Sequence, residues 1–180
     1  MERSLAPGEW AVLAVVSERP THGFAVAKTL ASSGEIGRVW SLPRPLVYRA
    51  LNHLVAAGLV DRGAAEPSAR GPNRLQVKAT ATGRRRVRRW LNEPVEHVRD
   101  VRSLLMLKLL FLERSGLDPG PLLDAQRDVL VPAAEALEER EQSLSGFERT
   151  LSRWRLESTR AVLRFLDATR DRADAADRVR

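Results

Sequence analysis

The amino-acid sequence predicts a mainly α-helical protein with one small antiparallel β-hairpin. Apolar residues recur at helical spacing along most of the 180 residues. Two short stretches of strand type, LVDRGA and RLQVKA, flank EPSARGPN, which is rich in turn residues. Charge is also divided: residues 1–95 hold 15 Lys and Arg against 7 Asp and Glu, a net charge of +8, whereas residues 96–180 carry −1. Together these observations predict a basic domain at residues 1–93, which contains the hairpin, and a helical domain at residues 94–180.

The first two helices are indicated by apolar spacing and by the residues that interrupt it. One is predicted over Glu9–Glu18 and is stopped by Pro20. Thr21 is expected to cap the second, which runs from about Gly23 to Ala31. A cluster of small residues then ends it: Ser32, Ser33, Gly34 and Gly37.

A third helix is predicted within PRPLVYRALNHLVAAGLV, residues 43–60. Pro45 suits a first helical turn, and it is expected to keep Arg44 outside the helix. On a helical wheel, the apolar face lies opposite Arg49 and Asn52, with Tyr48 on one flank. Gly58 is predicted to end the helix and lead into the hairpin. The apolar face consists of Val47, Ala50, Leu51 and Leu54.

A fourth helix follows the hairpin and closes the basic domain. Thr80 or Thr82 is expected to cap it. The helix turns five arginines outward, at positions 84, 85, 86, 88 and 89, and Val87, Trp90 and Leu91 inward. Asn92-Glu93-Pro94 ends it and marks the domain boundary.

The second half is predicted to be entirely helical. SLLMLKLLFL is apolar nearly all round, which is typical of a helix buried on several sides. A long helix then carries leucines spaced by sevens, at positions 123, 130, 137 and 144, and Pro132 is expected to kink or divide it. The last helix, from about Phe147 to Ala173, places one stripe of residues along its length: Leu151, Trp154, Ala161, Phe165 and Leu166.

Composition excludes several classes of protein. No apolar run approaches the roughly 20 residues needed to cross a bilayer, and MERSLAPGEW lacks the features of a secretory signal, so a cytoplasmic location is expected. The chain has no cysteine for disulfides or thiolate chemistry. Its three histidines are scattered and no glycine-rich phosphate loop follows a strand, so no enzyme activity, metal or cofactor is predicted.

Three helices followed by a hairpin form the layout of a winged helix-turn-helix, in which the third helix enters the DNA major groove. The detailed sequence, EWAVLAVVSERPTHGFAVAKTL followed by VWSLPRPLVYRALNHLVAAGLV and a wing, resembles the PadR family of bacterial transcriptional regulators. That resemblance implies a homodimeric transcription factor, usually a repressor of a roughly palindromic site, with the C-terminal helices forming the dimer. Pro45 and Leu46 depart from the family pattern of Gly followed by Ser or Thr.

Candidate DNA-binding residues follow from this layout. Arg49 to guanine and Asn52 to adenine are the pairings that major-groove geometry favours, and Tyr48 can offer its hydroxyl to a phosphate. The remaining candidates are Arg44 at the start of the third helix, Lys28 on the second, and Arg70 and Arg74 at the hairpin tip. The competing interpretation is that they are ordinary exposed polar residues.

Two alternatives concern the other partners. Some members of the resembled family respond to small aromatic or drug-like molecules, and Trp90 and Trp154 could line such a pocket, although most tryptophans at helical spacing belong to the core. The chain as a whole could instead be a protein-interaction module, in which the helical half binds a partner and the winged fold is only a scaffold. An affinity equal for all DNA sequences would favour that alternative.

Overall fold

The computed structural model describes residues 5–66 and 74–177. The chain divides into two compact units at the junction of Leu91 and Asn92. Within the described ranges, no helix combines the length and apolar character that a membrane span requires.

The first unit is a small helical domain with three short strands. Its elements, in chain order, are α1 (Pro7–Glu18), β1 (Thr21–His22), α2 (Gly23–Thr29), α3 (Arg44–Ala56), β2 (Val60–Glu66), β3 (Arg74–Ala79) and α4 (Ala81–Asn92). The expected class, mainly α with a small antiparallel hairpin, is confirmed. The core lies between the helices and the sheet, and each helix contributes fully or nearly buried apolar residues such as Leu13, Val26, Leu54 and Val87.

The sheet has one strand more than the predicted hairpin. Its order is β1-β3-β2, and both pairings are antiparallel. Thr21 pairs with Val77 in β1, so Thr21 does not cap α2, and His22 occupies that cap position instead. The prediction failed because a two-residue strand that pairs with a distant strand leaves no local pattern in the sequence.

The start of α3 also differs from the prediction. Arg44 is the first residue of α3, and Pro43 precedes it with extended backbone. Pro45 therefore occupies the second helical position, where its missing N–H would lack a partner in any case. At the other end Gly58 adopts a φ of 67°, and Leu59 N–H donates to Leu54 O at 2.9 Å, so the predicted helix end is confirmed.

The side-chain hydroxyl of Thr80 makes hydrogen bonds at the base of the hairpin. The Oγ1 of Thr80 accepts the N–H of Gly83 at 3.0 Å, so Thr80 rather than Thr82 caps α4. The same hydroxyl donates to Gly58 O at 2.9 Å, which ties the end of β3 to the end of α3. A Cβ on Gly83 would lie 2.2 Å from Leu59 O, so only glycine permits this close approach of α4 to the chain entering β2.

The second unit is built from helices. Its elements are α5 (Val98–Asp100), a π-helical segment (Val101–Leu105), α6 (Met106–Arg114), α7 (Gly120–Ser143) and α8 (Gly146–Asp177). The apolar run SLLMLKLLFL is confirmed as helical, and each of its ten residues is buried or half-buried. A buried amide joins the start of the unit to α7, because Gln126 accepts the N–H of Val95 at 2.7 Å and donates to its carbonyl at 2.9 Å.

Helices α7 and α8 form an antiparallel pair joined by a two-residue connection. Ion pairs between Glu138 and Arg160 at 2.8 Å and between Asp124 and Arg170 at 3.4 Å run along the pair. Pro132 does not divide α7, which continues through it with Pro132 on an exposed face. Leu123 and Leu130 are buried as the spacing by sevens predicts, but Leu144 lies beyond the helix end in extended backbone.

The stripe predicted on α8 is not the one that packs against α7. Among the α8 side chains that the structure describes, the buried ones are Ser152, Leu156, Thr159 and Leu166, which we call the inner stripe. Thr159 donates its hydroxyl to Arg155 O at 2.8 Å and Ser152 to Leu137 O at 3.5 Å. Sequence reasoning missed the inner stripe because two of its four residues are polar and become compatible with burial only through these hydrogen bonds.

The other predicted members of that stripe, Leu151, Trp154, Ala161 and Phe165, lie on a separate face of α8, which also carries Phe147. We call Phe147, Leu151, Trp154, Ala161 and Phe165 the outer stripe. Phe147 is 76% and Trp154 68% exposed, and Phe165 and Ala161 are also exposed. Leu166 therefore lies apart from its predicted companions, on the inner stripe, whereas most of the outer stripe is exposed.

Lys108 is a buried cation in the second unit. It is 3% exposed, and its ammonium group donates to Glu93 O. Burial lowers the pKa of Lys108 from 10.5 to about 8, and the carboxylate of Glu93 opposes that shift. Between about pH 8 and pH 10.5, Lys108 is therefore protonated in the unfolded chain and deprotonated in the folded chain.

We therefore expect the free energy of unfolding of the second unit to rise between about pH 8 and pH 10.5. The slope is expected to approach 1.4 kcal/mol per pH unit, and the total gain to be about 3 kcal/mol. Urea unfolding of the full chain at several pH values measures this change in the free energy of unfolding. Lys108→Met should abolish the rise, whereas Lys78→Met, which removes an exposed lysine, should leave it intact. An identical pH dependence for wild type and Lys108→Met would contradict this assignment.

Candidate nucleic-acid interface

The outer face of α3 is free of the protein core. Val47, Leu51 and Leu54 are buried against α1 and α2, which fixes the rotation of the helix about its axis. Arg49 and Asn52 therefore point to solvent, as predicted from the helical wheel. Among the described residues, no side chain makes a hydrogen bond or ion pair with Arg49, so its guanidinium is available to an external acceptor.

Asn52 has a partner that the sequence did not reveal. Arg62, an exposed residue of β2, donates from Nη2 to Asn52 Oδ1. β2 begins four residues after the end of α3, so the turn at Gly58 brings the strand back beside the helix. The alternation of side chains within LVDRGA can indicate which face of the strand carries Arg62. It cannot indicate which residue of α3 Arg62 contacts.

A second group of basic and aromatic residues lies at the amino end of α3. The guanidinium of Arg44 lies 5.4 Å from the ring centre of Phe24 and 5.7 Å from that of Tyr48, so both rings contact one cation. Phe24 is 55% and Tyr48 39% exposed. Lys28 and Arg44 both line an open, largely apolar cavity of about 440 Å³ between α2 and the start of α3. Lys28, Arg44 and Tyr48 are thus brought together on one side of α3.

His53 anchors the other flank of α3. Its Nδ1 lies 3.2 Å from Oε1 of the buried Glu9, and Oε2 of the same carboxylate accepts the N–H of Ala6 at 2.8 Å. One carboxylate therefore holds the first turn of α1 and also fixes α3. His53 is better explained by this structural contact than by a role in binding.

The hairpin tip lies outside the described residues, and with it Arg70. Arg74 begins β3, where its backbone pairs with Glu66, but its side chain is also outside the described part. On the described part of the hairpin, Asp61 stands opposite Lys78 and both are exposed. Val77 and Ala79 are buried whereas Lys78 between them is exposed, so one face of β3 packs on the domain and the other is open. Leu75 is on the same face as Val77 but is exposed, because it is nearer the hairpin tip.

Several arginines of α4 have partners within the protein. Arg84 donates to Ala79 O at 2.6 Å, Arg85 to Thr82 Oγ1 at 3.0 Å, and the Arg86 guanidinium lies 5.6 Å from the ring centre of Trp10. These contacts hold the start of α4 and its junction with β3. Arg84, Arg85 and Arg86 therefore have structural contacts within the first unit.

The two tryptophans considered for a ligand pocket have different environments. Trp90 is 5% exposed and stacks on Trp10, with ring centres 5.0 Å apart and planes 6° from parallel. Trp154 is on the exposed outer stripe of the second unit. Within the described residues, no three His, Cys, Asp or Glu side chains are arranged to hold a metal ion.

The first unit contains a region that matches a known protein family. Residues 12–89 match the model of the transcriptional regulator PadR-like family. Solved structures similar to the chain include PadR of Bacillus subtilis in complex with operator DNA, at 17% identity over 90% of this chain and 97% of that one, with a TM-score of 0.46. The Vibrio cholerae virulence activator AphA matches at 23% identity over 94% and 99%, with a TM-score of 0.41. A PadR-like transcriptional regulator from Bacillus cereus matches at 16% identity over the same shares, with a TM-score of 0.41. No curated protein sequence matches the chain.

Proposed function

Because residues 12–89 of this chain belong to the PadR-like family of transcriptional regulators, we propose that the protein is a homodimeric repressor that binds a roughly palindromic DNA operator. Its first unit is the DNA-binding domain, and its second unit is the dimerisation domain. In this proposal α3 enters the major groove of each half-site.

The free outer face of α3 is the observation that carries the proposal. Arg49 extends from this face with no partner among the described residues, and Arg62 of β2 lies beside Asn52 on the same side. Arginine and asparagine are side chains whose geometry matches base edges in the major groove. We assign direct base contacts to Arg49 and Asn52.

Contacts to the DNA backbone are assigned to the flanking residues. Lys28, Arg44 and Tyr48 lie together at the amino end of α3, where a phosphate strand bordering the groove would pass. Arg70 and Arg74 of the hairpin are proposed to hold the opposite side of the half-site, in the minor groove or on phosphates. Phosphate contacts fix the orientation of the protein and make its affinity depend on salt.

Dimerisation is assigned to the outer stripe of α8. Phe147, Leu151, Trp154, Ala161 and Phe165 are separated by steps of four, three, seven and four residues, which is the spacing of a seam between two helices. The inner stripe already binds α7, so the outer stripe is left for a partner. A second copy of the same chain presents the same stripe and fulfils the self-complementarity of a two-fold dimer.

The resemblance also implies release by a small aromatic or drug-like ligand. Trp90 is covered by Trp10, and Trp154 is assigned to the dimer seam, so we assign no shared pocket to this pair. Tryptophan fluorescence of the full chain, titrated with a panel of aromatic compounds, tests for such a ligand. A saturable change that is accompanied by loss of DNA binding would support ligand-controlled release.

Gel-shift measurements on the full chain test the proposed function. At low salt, the protein is expected to shift a fragment from upstream of its own gene and to keep that shift in excess unrelated DNA. Failure to shift any such fragment would overturn the proposal. Equal affinity for all sequences, together with a stable complex with another protein, would favour the interaction-module alternative.

A further inference from the structure

We propose that Arg62 of the hairpin sets the base preference of Asn52, so that the base facing Asn52 in the operator is guanine rather than adenine. This inference rests on the proposed function, because it concerns which base the same surface reads. It assigns a specificity role to a hairpin residue that is four residues beyond Gly58, outside the helix that enters the groove.

The contact with Arg62 fixes the orientation of the Asn52 amide. A guanidinium carries only hydrogen-bond donors, so the group of Asn52 that faces it must be the carbonyl oxygen. The amide NH₂ of Asn52 is then directed away from Arg62. No acidic side chain in the described part of the chain pairs with Arg62, so nothing there competes with Asn52 for it.

The hairpin geometry keeps Arg62 beside α3. Val60 is buried and pairs with Ala79, while Arg62 pairs with Val77 and is exposed. Regular pairing of β2 and β3 is interrupted immediately after Arg62, before Ala65. Such irregularities bend a strand and redirect its side chains. The strand that follows α3 therefore delivers one arginine next to the middle of the outer face.

This arrangement changes which base edge Asn52 matches. Reading adenine requires the asparagine oxygen to accept from N6 while its NH₂ donates to N7. With one lone pair of the oxygen engaged and a guanidinium beside it, Asn52 and Arg62 together turn mainly donors towards the groove. Guanine presents two acceptors, N7 and O6, on its major-groove edge and suits such a pair. Arg49 also carries only hydrogen-bond donors, so the donor-rich surface continues along the same face of α3.

Selection of binding sites from a random duplex library by the full chain tests the inference. Asn52→Ala first identifies the relevant base pair, which is the position whose preference it removes. At that position the wild type is expected to prefer guanine to adenine by about tenfold. Arg62→Met, which leaves the Asn52 oxygen free, should shift the preference towards adenine by a similar factor.

Arg85→Met provides the matched control. Arg85 is also an exposed arginine of the first unit with one hydrogen bond to a side chain, but it lies on α4. Arg85→Met removes the same positive charge as Arg62→Met and should leave the preferred base unchanged. A wild-type preference for adenine at this position, or the same preference in wild type and Arg62→Met, would overturn the inference. So would an Asn52→Ala variant with unaltered preferences. Failure of the wild type to select any sequence would instead overturn the proposed function.

Discussion

Arg49→Ala is expected to weaken binding to the operator by about 30-fold or more, while affinity for random DNA falls only a few-fold. A bidentate contact to a base contributes about 1–3 kcal/mol of discrimination, and a palindromic site contains that contact twice. Random DNA offers mainly phosphates to the same guanidinium, so its loss there is small. Fluorescence anisotropy with labelled operator and random duplexes at one salt concentration measures both affinities.

Arg85→Ala is the matched control for this measurement. It removes one positive charge from the same unit, and its guanidinium is occupied by Thr82 rather than free. We expect Arg85→Ala to lower the affinity for both duplexes slightly and by the same factor. If Arg49→Ala also weakened both by the same factor, then Arg49 would be a phosphate contact, and its assigned role in reading bases would be wrong.

Trp154→Glu is expected to convert the proposed dimer to a monomer and to reduce operator affinity by about two to four orders of magnitude. Trp154 lies at the centre of the outer stripe, so the substitution places a carboxylate where two helices would pack. Binding of the two half-sites by linked domains raises affinity by roughly 10²–10⁴ over a single domain, and that gain disappears in a monomer. Light scattering and operator titration of the full chain measure the two effects.

Arg164→Glu serves as the control for Trp154→Glu. Arg164 is exposed on α8 and belongs to neither the inner nor the outer stripe. It should leave the chain dimeric. Helix content should be unchanged in both variants, because the inner stripe still binds α8 to α7. A Trp154→Glu protein that remained dimeric with full operator affinity would show that the outer stripe is not the dimer interface.

Local patterns in the sequence predicted most of the fold. Proline, glycine and threonine mark the ends of α3 and α4, and the apolar spacing of Val47, Leu51 and Leu54 placed Arg49 and Asn52 on the solvent side. These features depend on neighbours within a few residues, so they are visible along the chain.

The remaining features depend on contacts between distant residues. The β1 strand exists only because β3 pairs with it, and Arg62 meets Asn52 only because the chain turns back at Gly58. The polar residues of the inner stripe, Ser152 and Thr159, gave no apolar signal. Tertiary contacts of this kind overrode the local pattern at β1, at Asn52 and along the inner stripe.

The specificity ratio of the full chain tests the central claim most directly. It is the affinity for a selected operator divided by the affinity for a randomised duplex of equal length, measured at physiological salt. A sequence-specific regulator is expected to show a ratio of about 10³ or more. A ratio close to one would contradict the assignment of α3 as a base-reading helix, even if the protein bound DNA tightly.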